Sequence, residues 1–294
     1  NNIRITEQSL KGGVSIVNPN FKNSNNSLIF SLAAQELDLM TGNGYKSSNT
    51  SLVLGTNFEY LDDLYLGVET KNTFESLEVG SNASANQKKQ AGDYFDSFLN
   101  FNFNYDKRNQ KFETNDGYIS NYSLDLPIIS ESLTLVNSYR FKAFDELYEN
   151  NISTFSFLAQ TSNSLNDENI RLSERLFIPG RSLRGFEPGK VGPKDGSDFI
   201  GGNFLTAINL SSNLPKLTEN FQNLDLGIFL DAANIWGVDY EAALEKNDGI
   251  RSSIGIGLDL TTPIGPLSFS YAIPITKENS DITESFTFNI GTSF

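Results

Sequence analysis

Cysteine and histidine are both missing from the 294 residues, and methionine and tryptophan occur once each. Without thiolates or imidazoles there is no ligand set for a conventional zinc site, no histidine for haem, and no Cys or Ser-His-Asp nucleophile. Disulfides are excluded, so they give no reading of redox compartment. Cations are scarce as well: 22 Lys and Arg against 36 Asp and Glu leave a formal charge of −14. That balance opposes nucleic-acid binding, which relies on clustered basic residues. No apolar run reaches the roughly eighteen residues a spanning helix needs. Two classes remain, a water-soluble β protein and a transmembrane β-barrel. Mean hydropathy of −0.31 does not choose between them, because every second residue of a barrel strand faces a polar lumen. The chain opens at Asn1 with no basic n-region or apolar h-region, and reads as a processed or truncated product.

What is abundant is two-residue alternation. Over 95–106, Phe95, Leu99, Phe101, Phe103 and Tyr105 share one parity, while Asp96, Asn100, Asn102, Asn104 and Asp106 share the other. Successive strand side chains point to opposite faces, so one surface is apolar and the other wet. Over 250–260, Ile250, Ile254, Ile256, Leu258 and Leu260 oppose Arg251, Ser253, Gly255, Gly257 and Asp259. The last stretch places Phe286, Phe288, Ile290 and Phe294 against Thr287, Asn289 and Gly291.

Further strands are expected near 13–19, 27–36, 51–60, 64–73, 117–126, 132–143, 152–160, 202–211, 223–233 and 265–275, with a stub at 3–6. About thirteen strands then share the chain at roughly twenty-three residues each, a spacing suited to long tilted strands. Asp62-Asp63 and Thr262-Pro263-Ile264-Gly265 are tight connections, whereas 74–94, 162–200 and 237–249 are long and polar. Short turns on one rim and long loops on the other fit an outer-membrane barrel. The polar parity is mostly Ser, Asn, Gly and Thr rather than the Lys and Glu of a water-facing sheet, and the apolar parity is bulky and aromatic.

Residues 178–196, Ile-Pro-Gly-Arg-Ser-Leu-Arg-Gly-Phe-Glu-Pro-Gly-Lys-Val-Gly-Pro-Lys-Asp-Gly, break the alternation. A phosphate-cradling G-x-x-x-x-G-K-[ST] loop is ruled out, since Arg184 occupies the first glycine position and Val191 follows Lys190. A loop of this length without regular structure is uncommon and often functional. Arg184, Gly185 and Phe186 set a guanidinium fork and an aromatic ring around a flexible glycine, as suits a tip pushed into a cavity. Parity supplies a partner. With Leu224, Leu226, Ile228 and Leu230 toward lipid, Asp225 and Asp231 face the lumen, where Asp231 can take the arginine bidentately.

At these residues the chain resembles the bacterial outer-membrane protein assembly factors, the BamA family within the wider surface-antigen family. The matching pieces, in order, are Asn18-Pro19-Asn20-Phe21, Asn104-Tyr105-Asp106-Lys107-Arg108-Asn109 and Asp116-Gly117-Tyr118. Phe177-Ile178-Pro179-Gly180, Leu183-Arg184-Gly185-Phe186 and Gly201-Gly202-Asn203 follow. Asp231 through Trp236, Thr262-Pro263-Ile264-Gly265-Pro266-Leu267, Phe269-Ser270-Tyr271 and the ending at Phe294 complete the set. The resemblance implies an all-β transmembrane antiparallel barrel of sixteen strands, about thirteen of them represented, with the long loop folded into the lumen. It also implies a loop–lumen clamp of Arg184, Gly185, Phe186 and Asp231. A second family acidic position falls on Ser211, leaving Asn209 and Ser211 as possible secondary acceptors.

The family's first two strands and most of its third have no counterpart, so 1–294 is expected to be a barrel domain incomplete at its N-terminus and without the periplasmic domains that precede it. The implied function is folding and insertion of other outer-membrane proteins at a weak seam, with Phe286, Phe288, Ile290, Gly291 and Phe294 as seam strand and terminal signal. The implied location is the bacterial outer membrane. Implied partners are outer-membrane lipids, unfolded outer-membrane clients and accessory assembly lipoproteins reached through the missing domains, with no nucleic acid. No cofactor or metal is expected, and the activity breaks no covalent bond, so the chain is not expected to be an enzyme. A secretion relative and a passive porin are the competing readings.

Overall fold

The computed structural model describes residues 2–5, 9–111, 114–148, 151–214, 224–240, 244–262 and 265–290. In chain order its strands begin with β1 (Asn2–Ile5), β2 (Ser9–Asn18), β3 (Ser27–Leu39), β4 (Tyr45–Leu61), β5 (Leu64–Val79) and β6 (Gly92–Asp106). They continue with β7 (Gly117–Ile129), β8 (Thr134–Tyr148), β9 (Asn151–Ser164), β10 (Lys194–Asp195), β11 (Asp198–Phe199) and β12 (Phe204–Asn213). The last are β13 (Leu224–Trp236), β14 (Leu244–Glu245), β15 (Arg251–Thr262), β16 (Gly265–Thr276) and β17 (Phe286–Ile290). Fourteen of these form one antiparallel sheet, whose order follows the sequence from β1 to β17; β11, β10 and β14 make a small second sheet.

The two parities of the sequence become two environments. Along β3, Leu28, Phe30 and Leu32 are exposed on the outside while Ile29, Ser31 and Ala33 are turned inward. Ile254 and Ile256 of β15 stand out in the same way, against buried Ser253. Aromatic rings tile this outer face from strand to strand. Tyr105 meets Tyr118 at 5.9 Å, Tyr118 meets Phe141 at 5.8 Å, and Phe141 meets Phe155 at 6.2 Å between ring centroids. So much contiguous apolar surface would aggregate in water and is the surface a bilayer solvates. Inside, polar side chains satisfy one another. Asn121 donates to Asn102 at 3.1 Å, Gln160 donates to Ser138 at 3.1 Å, and Asn100 pairs with Asp125.

Several strands run further than the alternation of apolar residues indicates. β4 begins at Tyr45 rather than near 51, β5 continues to Val79, and β3 to Leu39. The outward positions there are Glu36 and Asp38 of β3 and Lys46 of β4, with Lys46 bonded to Glu36 at 3.0 Å. Backbone pairing persists beyond the apolar belt, where outward side chains meet water and lose the greasy signature. Tight turns such as Asp62-Asp63 lie on one rim. Connections 80–91 and 165–203, with residues 237–240 and 244–250, lie on the other and pack together: Ser84 and Tyr240 both donate to Asp195, at 2.5 and 2.9 Å.

Candidate functional site: a loop locked into the lumen

The segment between β9 and β12 folds into the interior. Its first part anchors through arginines. Arg171 pairs with Asp96 on β6 and with Glu174 at 2.9 Å, with its guanidinium 4.1 Å from the Tyr94 ring centre. Arg175 pairs with Asp239 and donates to Asn203 at 3.2 Å. Glu174 in turn accepts from Ser132 and Thr134 at 2.7 and 2.8 Å. Charges this deeply buried persist only when paired, and each is.

An apolar bed receives the tip. Leu176, Ile178, Leu183, Phe186 and Val191 of the loop cluster with Leu158, Leu205, Ala207, Ala233 and Ile235 of the wall. The inner face of β9, β12 and β13 is therefore not the uniform polar lining read from the sequence. It turns apolar where the loop docks. Phe186 is 3% exposed there, a burial worth about 1.5–3 kcal/mol.

Arg184 reaches Asp231 of β13 with three donors. Its Nε and Nη2 donate to Oδ2 and Oδ1 at 2.8 and 2.7 Å, and its backbone N–H donates to Oδ2 at 3.1 Å. Asp231 is fully buried, and the Arg184 side chain is 23% exposed. The guanidinium carbon lies 3.3 Å from the Phe229 ring centre, a cation–π contact beside the ion pair. Ser253 of β15 donates to the Arg184 carbonyl at 2.5 Å. Asp231 faces Asn209 on one neighbouring strand and Ser253 on the other, so the clamp gathers β12, β13 and β15. Gly185 has φ +89°, and a Cβ there would sit 3.1 Å from the Cβ of Ala272 on β16. Only glycine combines that backbone with so close an approach.

The two secondary acceptors need correction. Asn209 is a donor in this site: its Nδ2 bonds Asp231 Oδ1 at 2.9 Å and the Ser182 carbonyl at 2.8 Å. It orients the carboxylate and holds the loop, and offers the arginine nothing. Ser211 lies opposite Phe229 in the β12–β13 register and makes no hydrogen bond to Arg184 among the described residues. Four donors already fill the Asp231 carboxylate, so the site needs no second acid.

At the C-terminal end, Phe286 and Phe288 of β17 point outward, and β17 pairs with β16 from Tyr271↔Phe286 to Leu267↔Ile290. Gly291 and Phe294, also expected in this strand, lie outside the described residues, as do Pro263 and Ile264 of the turn after β15. Sequence reading missed Arg171, Arg175, Lys190, Arg251 and Asp281, all buried. Parity puts Asp96 and Arg251 on the wet face but names no partner for either; the loop arginines carry no periodic signal.

Known proteins resemble this chain in sequence and in fold. A SAM50-like protein of Schizosaccharomyces pombe is 30% identical over 139 residues, covering 45% of this chain and 29% of its own length. The outer membrane protein assembly factor BamA of Neorickettsia risticii is 22% identical over 257 residues, covering 85% of this chain and 34% of its own. The chain thus spans about a third of the length of these relatives. The crystal structure of BamA from Haemophilus ducreyi lacking POTRA domains 1-3 superposes with a TM-score of 0.83 at 22% identity, over 96% of this chain and 61% of that one. The fold is that of a BamA-like barrel, and its place is the bacterial outer membrane. The Omp85 superfamily domain matches residues 2–294, and the chain belongs to that superfamily.

Proposed function

We propose that residues 1–294 form one transmembrane barrel domain that assists the folding and membrane insertion of other outer-membrane β-barrel proteins. The observation that carries this reading is the docking of the Arg184 tip on Asp231. It packs the loop against the inner face of β9, β12 and β13, which a passive pore has no use for, and it ties that loop to the strands nearest the C-terminal edge. Relatives named as assembly factors support it.

The edge itself suits such work. An unpaired strand edge offers N–H and C=O groups that lipid leaves unsatisfied, at several kcal/mol each. An incoming client strand satisfies them by β-augmentation. Among the described residues β17 pairs with β16 from Tyr271↔Phe286 to Leu267↔Ile290, and no strand pairs with its other side. The side chains that a client strand would meet are Phe286 and Phe288 on the lipid side and Thr287 and Asn289 on the lumen side. This activity makes and breaks no covalent bond; its partners are lipid and unfolded clients, with accessory lipoproteins acting on other parts of the protein.

The test is reconstitution of the full-length protein in liposomes with an unfolded barrel client. Accelerated client folding, slowed by Asp231→Ala, is the expected result. Steady ion conductance without acceleration points to a pore and overturns the reading.

A further inference from the structure

The lumen loop is bonded to both flanks of the sheet. On the C-terminal flank, Glu284 N–H donates to the Gly185 carbonyl at 3.2 Å and Glu187 N–H donates to the Ile282 carbonyl at 3.0 Å. Ile282 N–H then donates to the Lys190 carbonyl at 3.1 Å. Residues 185–190 and 282–284 thus run together as a short main-chain ladder. It leads directly into β17, because Ala272 N–H of β16 donates to the Ser285 carbonyl at 2.8 Å, one residue before the strand begins.

The connection carrying 282–284 is fastened by one ion pair. Arg251 Nε and Nη2, at the start of β15, donate to Asp281 Oδ2 and Oδ1 at 2.9 and 3.0 Å, and both side chains are fully buried. Arg251 Nη1 also donates to the Gly249 carbonyl at 2.5 Å, while Asp281 Oδ2 accepts from the Glu278 N–H at 2.7 Å. A buried pair of this kind adds little net stability, because desolvating two charges offsets most of their attraction. What a bidentate fork does supply is a fixed geometry.

On the N-terminal flank the same loop meets the turn between β3 and β4. Lys190 Nζ donates to the Thr41 carbonyl at 2.6 Å and to Asn43 Oδ1 at 3.3 Å. Asn43 Nδ2 returns bonds to the Gly189 and Phe199 carbonyls at 3.0 and 2.8 Å. Gly42, at φ +90°, leaves the space: a Cβ there would stand 1.7 Å from the lysine nitrogen.

We infer that residues 185–190 are a strap across the lumen joining the two flanks of the sheet, and that Arg251 and Asp281 are positioning residues that fix the terminal strand β17 to it. The inference rests on the reading that the β17 edge receives clients, and makes the loop the regulator of that edge. Releasing the Asp281 clasp frees β17; releasing Lys190 frees the β3–β4 turn.

Amide hydrogen exchange on the detergent-purified full chain tests this without any client, so its outcome is separate from that of the folding assay. Asp281→Asn is expected to speed exchange at 286–290 and at 185–190 at least tenfold, with β5–β8 unchanged. Lys190→Met is expected to do the same at 41–44 while 286–290 stays within twofold. Should Asp281→Asn unfold the barrel, Arg251→Met with Asp281→Leu removes the pair without stranding a charge, and the same tenfold change at 286–290 is expected. Exchange confined to 278–282 in the Asp281 variants, or an unmoved 41–44 in Lys190→Met, overturns the strap.

Discussion

Arg184 and Asp231 are joined by both a side-chain fork and a backbone bond, so the aspartate fixes the course of the loop as well as its charged tip. A carboxylate at zero exposure has no water to fall back on. Asp231→Ala strands the guanidinium over Phe229 and unpairs the Arg184 N–H, at a cost of about 3 kcal/mol. The barrel's heat-modifiable migration in gels should lose its folded form at a clearly lower temperature than wild type.

The neighbours of that carboxylate should grade by how many bonds each supplies. Asn209→Ala removes the donor to Asp231 and to Ser182 and should cost about 1–2 kcal/mol, with the ion pair intact. Ser211→Ala should fall within about 0.5 kcal/mol of wild type. Equal losses from the two variants in the same melting measurement would mean that Ser211 serves the clamp after all.

Gly185→Ala should destabilise the loop by about 1–3 kcal/mol, because φ +89° strains an alanine and its Cβ crowds Ala272. Limited proteolysis reads this directly: cleavage within 178–196 should appear in the variant under conditions where wild type is resistant.

Tyr240 gives the rim loops a pH signature. Burial, with the Asp195 carboxylate beside it, pushes its hydroxyl above the ordinary tyrosine value of 10.0. The folded state therefore holds this proton at pH values where the unfolded chain has lost it. Stability from this group is full below about pH 10 and is lost as pH rises through the tyrosine range. Melting midpoints between about pH 9 and 12 should fall less steeply for Tyr240→Phe than for wild type. At neutral pH the variant should lack only the bond to Asp195, about 1 kcal/mol.

How much of this was legible in the sequence follows from what alternation can encode. Phe95 to Asp106 and Ile250 to Leu260 revealed strands and faces, because period two is the strand's own geometry. Asp231 was legible as a lumen residue by parity with Leu230. Arg184 as its partner came from loop chemistry and family resemblance together. Ends of strands were not legible where outward residues turn charged, as at Glu36 and Lys46. The apolar bed for Phe186 was hidden because Leu205 and Ile208 make both faces of β12 greasy. Arg251 bonding Asp281 joins two residues with no spacing rule between them, and only the folded chain brings them together.

The claim beneath all of this is that lipid solvates one face of the sheet while a docked loop fills the space behind the other. A chain without cysteine permits single thiols to be introduced one at a time for spin labelling in bilayers. Labels at Leu28, Phe30, Leu32, Ile254 and Ile256 should collide with dissolved oxygen and be shielded from an aqueous paramagnetic reagent; a label at inward-facing Ser31 should be shielded from oxygen, and one at Ser253, buried beneath the loop, should meet neither strongly. Aqueous accessibility along the first set, or no alternation between the two, would contradict a membrane barrel with a filled lumen.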